Sequence, residues 1–116
     1  MRVLVCGGRN FSDYGSIERT LDALHAATPI AVVITGAAPG ADLMADAWAR
    51  ANKIAAELYP AKWDVQGRAA GPIRNQEMIE HAKPDLVVAF PGGKGTADMA
   101  ARAERAGVKV LKVPMA

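Results

Sequence analysis

The stretch Pro91-Gly92-Gly93-Lys94-Gly95-Thr96 sets the chemistry to look for first in this 116-residue chain. Three glycines among four neighbouring positions let a backbone bend sharply and let a ligand approach with no Cβ in the way. The apolar run Asp85-Leu86-Val87-Val88-Ala89-Phe90 comes before them and an alanine-rich segment follows. The whole therefore reads as a strand, a tight turn and a helix beginning near Thr96. A helix start aims unpaired N–H groups and the positive end of its dipole into the turn, which suits a phosphate or a carboxylate. Lys94 reads equally well as a solvated turn residue.

Three further stretches carry polar chemistry: Gly7-Gly8-Arg9-Asn10, Thr35-Gly36-Ala37-Ala38-Pro39-Gly40-Ala41-Asp42, and Gly71-Pro72-Ile73-Arg74-Asn75 at a helix start. The expected division of labour is a phosphate on Gly92, Gly93, Gly95 and Thr96, with charge-assisted bonds from Arg9 and Arg74. Thr35, Gly36 and Asp42 would hold the sugar or base side, and Gly7, Gly8, Asn75, Pro91 and Lys94 complete the rim. Asp42 serves equally well as a cap for its own helix. Two familiar fingerprints are missing. No Gly-x-Gly-x-x-Gly follows the first apolar run, and Gly93-Lys94-Gly95-Thr96 lacks the spacing of a Walker loop, where Ser or Thr directly follows the lysine. No metal-ligand cluster, helical His pair or triad-like set is present, so neither a metal nor a further cofactor is expected and no catalytic residue is assigned.

The elements that must position these residues follow from hydrophobic pattern. Val3-Leu4-Val5-Cys6, Ile30 to Ile34, Ile54 to Tyr59, Leu86 to Phe90 and Val108 to Val113 read as strands. Glu57 in the third and the lysines of the fifth suit sheet edges. Helices are expected from about Ser16 to Ala27, with Ser16 or Asp13 as cap, and after Asp42 with Leu43, Met44, Ala47, Trp48 and Ala51 inward. Two more are expected, from Gly71 with Ile73, Met78, Ile79 and Ala82 inward, and after Thr96 with Met99, Ala100, Ala103 and Ala106 inward. Residues 61–70, with Trp63 and Arg68, show no regular pattern; Trp63 reads as a lid over the sheet edge in preference to a base-stacking platform. Five strands joined through four helices predict an α/β fold, a three-layer Rossmann-like sandwich with a five-stranded parallel sheet in the order 3-2-1-4-5. The topological switch then lies between strands one and four, where ligands of open α/β sheets bind.

Composition narrows the classes. One domain spanning residues 1–116 is expected, with 51% apolar residues and no linker-like stretch. A net charge of +2 with interspersed signs gives no basic run of the kind that tracks a nucleic-acid backbone. The lone Cys6, inside an apolar run and remote in sequence from His25 and His81, reads as a buried thiol, and both histidines read as solvated residues at helix C-termini. No membrane-spanning stretch or signal-peptide pattern is apparent, and a cytoplasmic setting is expected. A small domain with glycine loops along one rim is also expected to pair as a homodimer, with a partner helix walling the crevice.

Cys6-Gly7-Gly8-Arg9-Asn10, Thr35 to Asp42, Gly71 to Met78 and Pro91 to Thr96 together resemble the SLOG superfamily of Rossmann-like domains, named for the SMF/DprA and LOG proteins. The resemblance is greatest to the small YspA-like group. It implies a nucleotide or nucleotide-derived ligand at the glycine loops. The LOG branch, which releases a base from nucleoside monophosphates, has an arginine matched here by Arg74 and a glutamate where Met99 stands. A thioether neither stabilises an oxocarbenium-like centre nor activates water. Under a LOG-like hydrolytic alternative, Asp98 or Asp42 would have to supply the carboxylate. The DprA branch carries a loop like Gly36 to Asp42 and implies single-stranded DNA as a third alternative, although nucleic acid is not the expected partner of a chain with so modest a charge and so few aromatics.

Overall fold

The computed structural model describes residues 1–115. In chain order its elements are β1 (Arg2–Cys6), α1 (Tyr14–Ala27), β2 (Val32–Thr35), α2 (Ala41–Ala51), β3 (Ala55–Leu58), α3 (Trp63–Gln66), α4 (Ala70–Glu77), β4 (Leu86–Ala89), α5 (Lys94–Arg105) and β5 (Lys109–Lys112). A 3₁₀ turn (Gly67–Ala69) joins α3 to α4, and a π-helical turn (Met78–Ala82) ends α4. All strands are parallel, in the order β3-β2-β1-β4-β5. The predicted three-layer Rossmann-like architecture and strand order are therefore those of the molecule.

Strand alternation builds two cores. Val3, Val5, Val33 and Val88 meet Ile17, Leu21 and Trp48 on the α1/α2 side; Leu4, Ile34 and Val87 meet Met78, Met99 and Ala103 on the α4/α5 side. The central strands are buried on both faces, which is why they read as continuous apolar runs. Each large apolar side chain so buried contributes about 1.5–3 kcal/mol. At the N-terminal rim the protein satisfies its own polar groups. Arg2 donates from Nε to the Ala82 carbonyl (2.7 Å) and from Nη2 to Glu57 (2.8 Å). The C-terminal rim is left open.

Local pattern misplaces several faces. The inward stripe expected on α2 is rotated: Leu43 is 47% exposed, Ala47 and Ala51 are exposed, and Ala41, Ala45, Trp48 and Ala49 meet the sheet. Alanines let a helix lie close to the strands, and a pattern that ranks leucine above alanine turns such a helix the wrong way. On α4, Ile73 is exposed and Asn75 buried, although Met78 and Ala82 face inward as expected. Ala106 lies beyond the packed face of α5, and Gly107, with φ +77°, ends that helix. Residues 61–70 are not irregular, since they hold α3 and the 3₁₀ turn, which adds a fifth α-helix to the expected four. Asp13 is the cap of α1, its Oδ1 accepting from Ser16 N–H at 3.0 Å. His25 Nδ1 accepts from Ile30 N–H (2.9 Å), so it fastens the turn into β2 and does not merely complement a dipole. Among the described residues, no helix is long and apolar enough to cross a membrane.

Candidate functional site

Phe90, buried behind the end of β4, anchors the start of the turn into α5. The helix begins at Lys94, earlier than expected, with Gly93 as its cap residue, so Lys94, Gly95 and Thr96 form its first turn. Ala97 N–H reaches the Gly93 carbonyl at 3.1 Å, whereas the N–H groups of the three residues before it have no backbone acceptor among the described residues. Gly92 is demanded by packing. A Cβ there would strike Thr96 Oγ1 and stand 2.7 Å from Gly8 N, and Gly8 in turn donates to the Pro91 carbonyl at 2.9 Å. This stitch holds the loops after β1 and β4 together at the topological switch. Gly93 and Gly95 differ, because a Cβ at either would meet no protein atom within 4 Å and neither has a positive φ.

A cleft of about 640 Å³ opens beside this turn, between the loop after β1, the start of α2, and α3, α4 and α5. Gly7, Gly8 and Arg9 enter it from the first loop, Asp42 from α2, and Arg74 and Asn75 from α4. Gly93, Lys94, Gly95 and Thr96 close the far wall. Four of the expected residues lie elsewhere. Pro91 and Gly92 face a neighbouring cleft, while Thr35 is fully buried and its Oγ1 accepts from Ala37 N–H at 3.2 Å. Gly36 is covered by Arg74, whose guanidinium occupies the space a Cβ would need. Thr35 and Gly36 therefore support the wall of the cleft and are not part of it.

Arg74 is the most constrained cation of the site. Its Nη1 donates to the carbonyls of Gly36 (2.7 Å) and Tyr59 (3.3 Å), and Nε donates to Asn75 Oδ1 (3.0 Å). Nη2 has no acceptor among the described residues, so the fork is fixed by protein at one end and free at the other. Burial lowers the Arg74 pKa, with the nearby Asp42 opposing that shift. Asn75 extends the network, its Nδ2 donating to Asp98 Oδ2 (3.0 Å) and to the Gly95 carbonyl (3.3 Å), which ties α4 to the first turns of α5.

Two carboxylates line the cleft, and their surroundings push them in opposite directions. Burial raises Asp42 from its ordinary 3.8 to about 6, although Ala38 N–H donates to its Oδ2 at 3.2 Å and Arg74 and Arg9 lie near. Burial would also raise Asp98, but hydrogen bonds from Arg102 (2.8 Å) and Asn75 outweigh it and hold this carboxyl below its ordinary range. Met99, at the position of the LOG-type glutamate, is buried in the core, so Asp98 is the carboxylate that α5 presents to the cleft. Burial, with the Asp42 charge adding to it, pushes the Cys6 thiol up to about 12, so it stays protonated near neutral pH and is no nucleophile.

Sequence reading assigned no wall to Trp63 and Arg68, yet both line the cleft. Trp63 packs across the start of α4, where a Cβ on Gly71 would lie 3.2 Å from its ring, and the Arg9 guanidinium sits over the ring at 5.3 Å from its centroid. That cation–π contact, worth about 0.5–1 kcal/mol at an exposed position, spans the mouth of the cleft. The available signal was an aromatic residue isolated in a polar stretch. Four cations (Arg9, Arg68, Arg74, Lys94) thus face two carboxylates, and Arg9, Arg68 and Lys94 form no ion pair among the described residues. No three metal-ligating side chains gather anywhere among those residues.

A family model described as the YspA, cpYpsA-related SLOG family matches residues 1–65, more than half of the chain. The chain belongs to the SLOG family. The match spans the loops after β1 and β2. A relative named "Gene 61 protein", from Mycobacterium phage D29, is 37% identical over 118 residues, covering 95% of this chain and 94% of the phage protein. Its name carries no activity. SLOG membership points to nucleotide-related binding, and the geometry around Arg74 and the β4–α5 turn frames what such binding would require.

Proposed function

We propose that the cleft binds a nucleotide or nucleotide-derived small molecule, its phosphate lying on the turn from Gly93 to Thr96. The observation that carries this reading is Gly95. Glycine in a helix costs roughly 1 kcal/mol against alanine, and this position in the first turn of α5 is explained neither by a clash nor by a positive φ, whereas Gly93, the cap residue, has a ψ of −141° that favours glycine by itself. Gly95 borders a cleft that is also lined by four cationic side chains, at a helix start whose first N–H groups lack backbone acceptors among the described residues. A backbone left bare where only solvent would meet a side chain suits a ligand that presses against it. Arg74 Nη2, pre-aimed by the bonds on Nη1 and Nε, would supply a charge-assisted donor to the phosphate at little cost in side-chain entropy.

Thermal denaturation with a panel of nucleoside mono- and diphosphates tests the reading. A ligand at about 100 times its dissociation constant should stabilise by about 2.7 kcal/mol. No shift with any member of the panel, each at millimolar concentration, counts against it.

One observation favours a second, catalytic reading. Asp42 and Asp98 line one cleft with pKa values driven apart, the arrangement that separates a proton donor from an ionised partner. Hydrolysis would break the bond between the sugar C1′ and the base nitrogen and form a C1′–O bond to water; Asp42 would give its proton to the departing base, and the ionised Asp98 would take the proton that the attacking water loses. Free base measured by chromatography tests this, with turnover lost in both Asp42→Asn and Asp98→Asn.

The same reading includes a homodimer. The exposed Val65 and Ile73 lie on α3 and α4 beside the cleft and would pack on a second copy. Light scattering should give twice 12.2 kDa; the monomer mass at all concentrations would leave Trp63 and Arg68 to complete the site within one chain.

A further inference from the structure

Asn75 stands in the cleft wall beside Arg74 but is only 4% exposed, and its hydrogen-bonding groups are already taken up by protein. A carboxamide carries two donors on its nitrogen and an acceptor on its oxygen. Both donors of Asn75 go to α5, Nδ2 reaching the Gly95 carbonyl at 3.3 Å and Asp98 Oδ2 at 3.0 Å, and Oδ1 accepts from Arg74 Nε at 3.0 Å. Arg74 Nε only donates, whereas a backbone carbonyl and a carboxylate held ionised only accept, so the amide fits these three partners in one orientation.

Successive residues of a helix point about 100° apart and do not face each other. The bond from Arg74 Nε to the very next residue therefore fixes which way the arginine leaves α4. With Nη1 held by the Gly36 and Tyr59 carbonyls, Nη2 is the end of the fork that a ligand can use. Asn75 thus links two groups on different helices, the Arg74 fork of α4 and the Gly95 carbonyl in the first turn of α5. Joining the helices does not require it. Arg102 already bridges them, Nε donating to Asp98 (2.8 Å) and Nη1 to Gln76 Oε1 (2.9 Å), and Met78 and Met99 pack together in the core. An apolar side chain at so buried a position would add to that packing without the cost of burying an amide. What an apolar residue cannot do is hold a guanidinium and a helix turn in register.

Resting on the nucleotide reading above and deepening it, we infer that Asn75 is the positioning residue of the anion seat: it touches no ligand, and it sets the Arg74 fork and the Gly95 turn at a fixed separation, so that one phosphate meets both. A phosphate held from two helices gains fully from each only where neither group must be ordered on binding. Asn75 orders them in advance, and its loss acts on affinity through Arg74.

Asn75→Ala and Asn75→Leu remove the amide, the second at closely similar volume, and neither adds charge. Isothermal titration of the full chain with AMP and ADP should show about a tenfold loss of affinity in each variant. Arg74→Ala should then cost far less in either background than in the wild type, because the fork is already out of register; losses at independent sites would add. Proton–nitrogen NMR gives a reading without ligand. The Arg74 Nε–H should be a sharp, slowly exchanging signal in the wild type and should disappear in both variants, while the amides of α1 keep their positions. If either variant binds AMP as the wild type does, if the Asn75 and Arg74 losses add, or if the Nε–H signal persists, the positioning role is overturned while the nucleotide reading stands. If neither variant folds, Asn75 is a structural tie and the role is overturned as well. If neither AMP nor ADP binds the wild type, both fail.

Discussion

The loop from β2 into α2 and the turn from β4 into α5 look alike in sequence, each a strand end followed by glycines and a helix, yet the protein uses them oppositely. In the first, every glycine is taken up by protein. Gly36 makes room for the Arg74 guanidinium, and Gly40, with φ +82°, packs against the carbonyls of Gly8 and Arg9. In the second, only Gly92 is taken up in this way, and Gly93 and Gly95 face open space. The first loop is thus a seat for a cation and the second a candidate seat for an anion. Glycine content alone does not distinguish them; what would touch the missing Cβ does.

The largest expected effect lies in the first loop. Gly40→Ala combines a positive φ with a backbone collision, and should cost about 2–4 kcal/mol of stability, read as a lower urea midpoint with an unchanged slope. A loss under about 0.5 kcal/mol would mean that this loop is not the rigid seat described. Next comes Arg74→Ala, which removes the seated cation and leaves the Gly36 and Tyr59 carbonyls without their donor. A charged hydrogen bond is worth about 1.5–3 kcal/mol, so nucleotide affinity should fall about 10- to 100-fold. Arg74→Lys should recover little of it, because an ammonium cannot hold those carbonyls and present a free fork together.

Asp42 offers a pH test of the same seat. Its pKa is higher folded than unfolded, so ionising it costs folded stability. That cost is absent below the ordinary 3.8, grows as pH rises towards about 6, and is constant above. Asp42→Asn, which keeps an oxygen for Ala38 N–H, should gain stability over wild type across that window and hold the gain at pH 7. Equal pH profiles for the two proteins would show that Asp42 is not buried as described.

What could be read from sequence follows the same division. The sheet order was legible because β1, β2 and β4 are buried on both faces and leave unbroken apolar runs, while Glu57 and the lysines of β5 mark the edges. The rim that carries the candidate site followed from topology. Which residues face the cleft was less legible. Thr35 ends β2 and Gly36 follows it in the loop before α2, where both are turned away by their own bonds, and Asn75 is buried on a helix face where Ile73 was the more apolar choice. Trp63 and Arg68 escaped because α3 is a single short turn, held by packing on Gly71 and not by periodicity. Contacts between loops distant in sequence leave no local pattern to read.

The smallest change should be the most discriminating. Gly95 lies within the first turn of α5, its φ is not positive, and an added Cβ meets no protein atom. If the position were purely structural, alanine would only improve the helix, by roughly 0.5–1 kcal/mol. That gain should appear as a melting temperature a few degrees higher in the absence of ligand. A phosphate seated against this backbone would meet the new methyl group directly, so the same variant should bind nucleotide at least roughly tenfold more weakly, a loss of about 1.4 kcal/mol. Stability and affinity then move in opposite directions, which no general damage to the fold can imitate. Gly92→Ala is the internal contrast, since its Cβ would collide with Thr96 and Gly8 and should lower both. A Gly95→Ala protein that is more stable and binds every nucleotide as wild type does would move the ligand off this turn, and would leave the two glycine loops differing in packing but not in function.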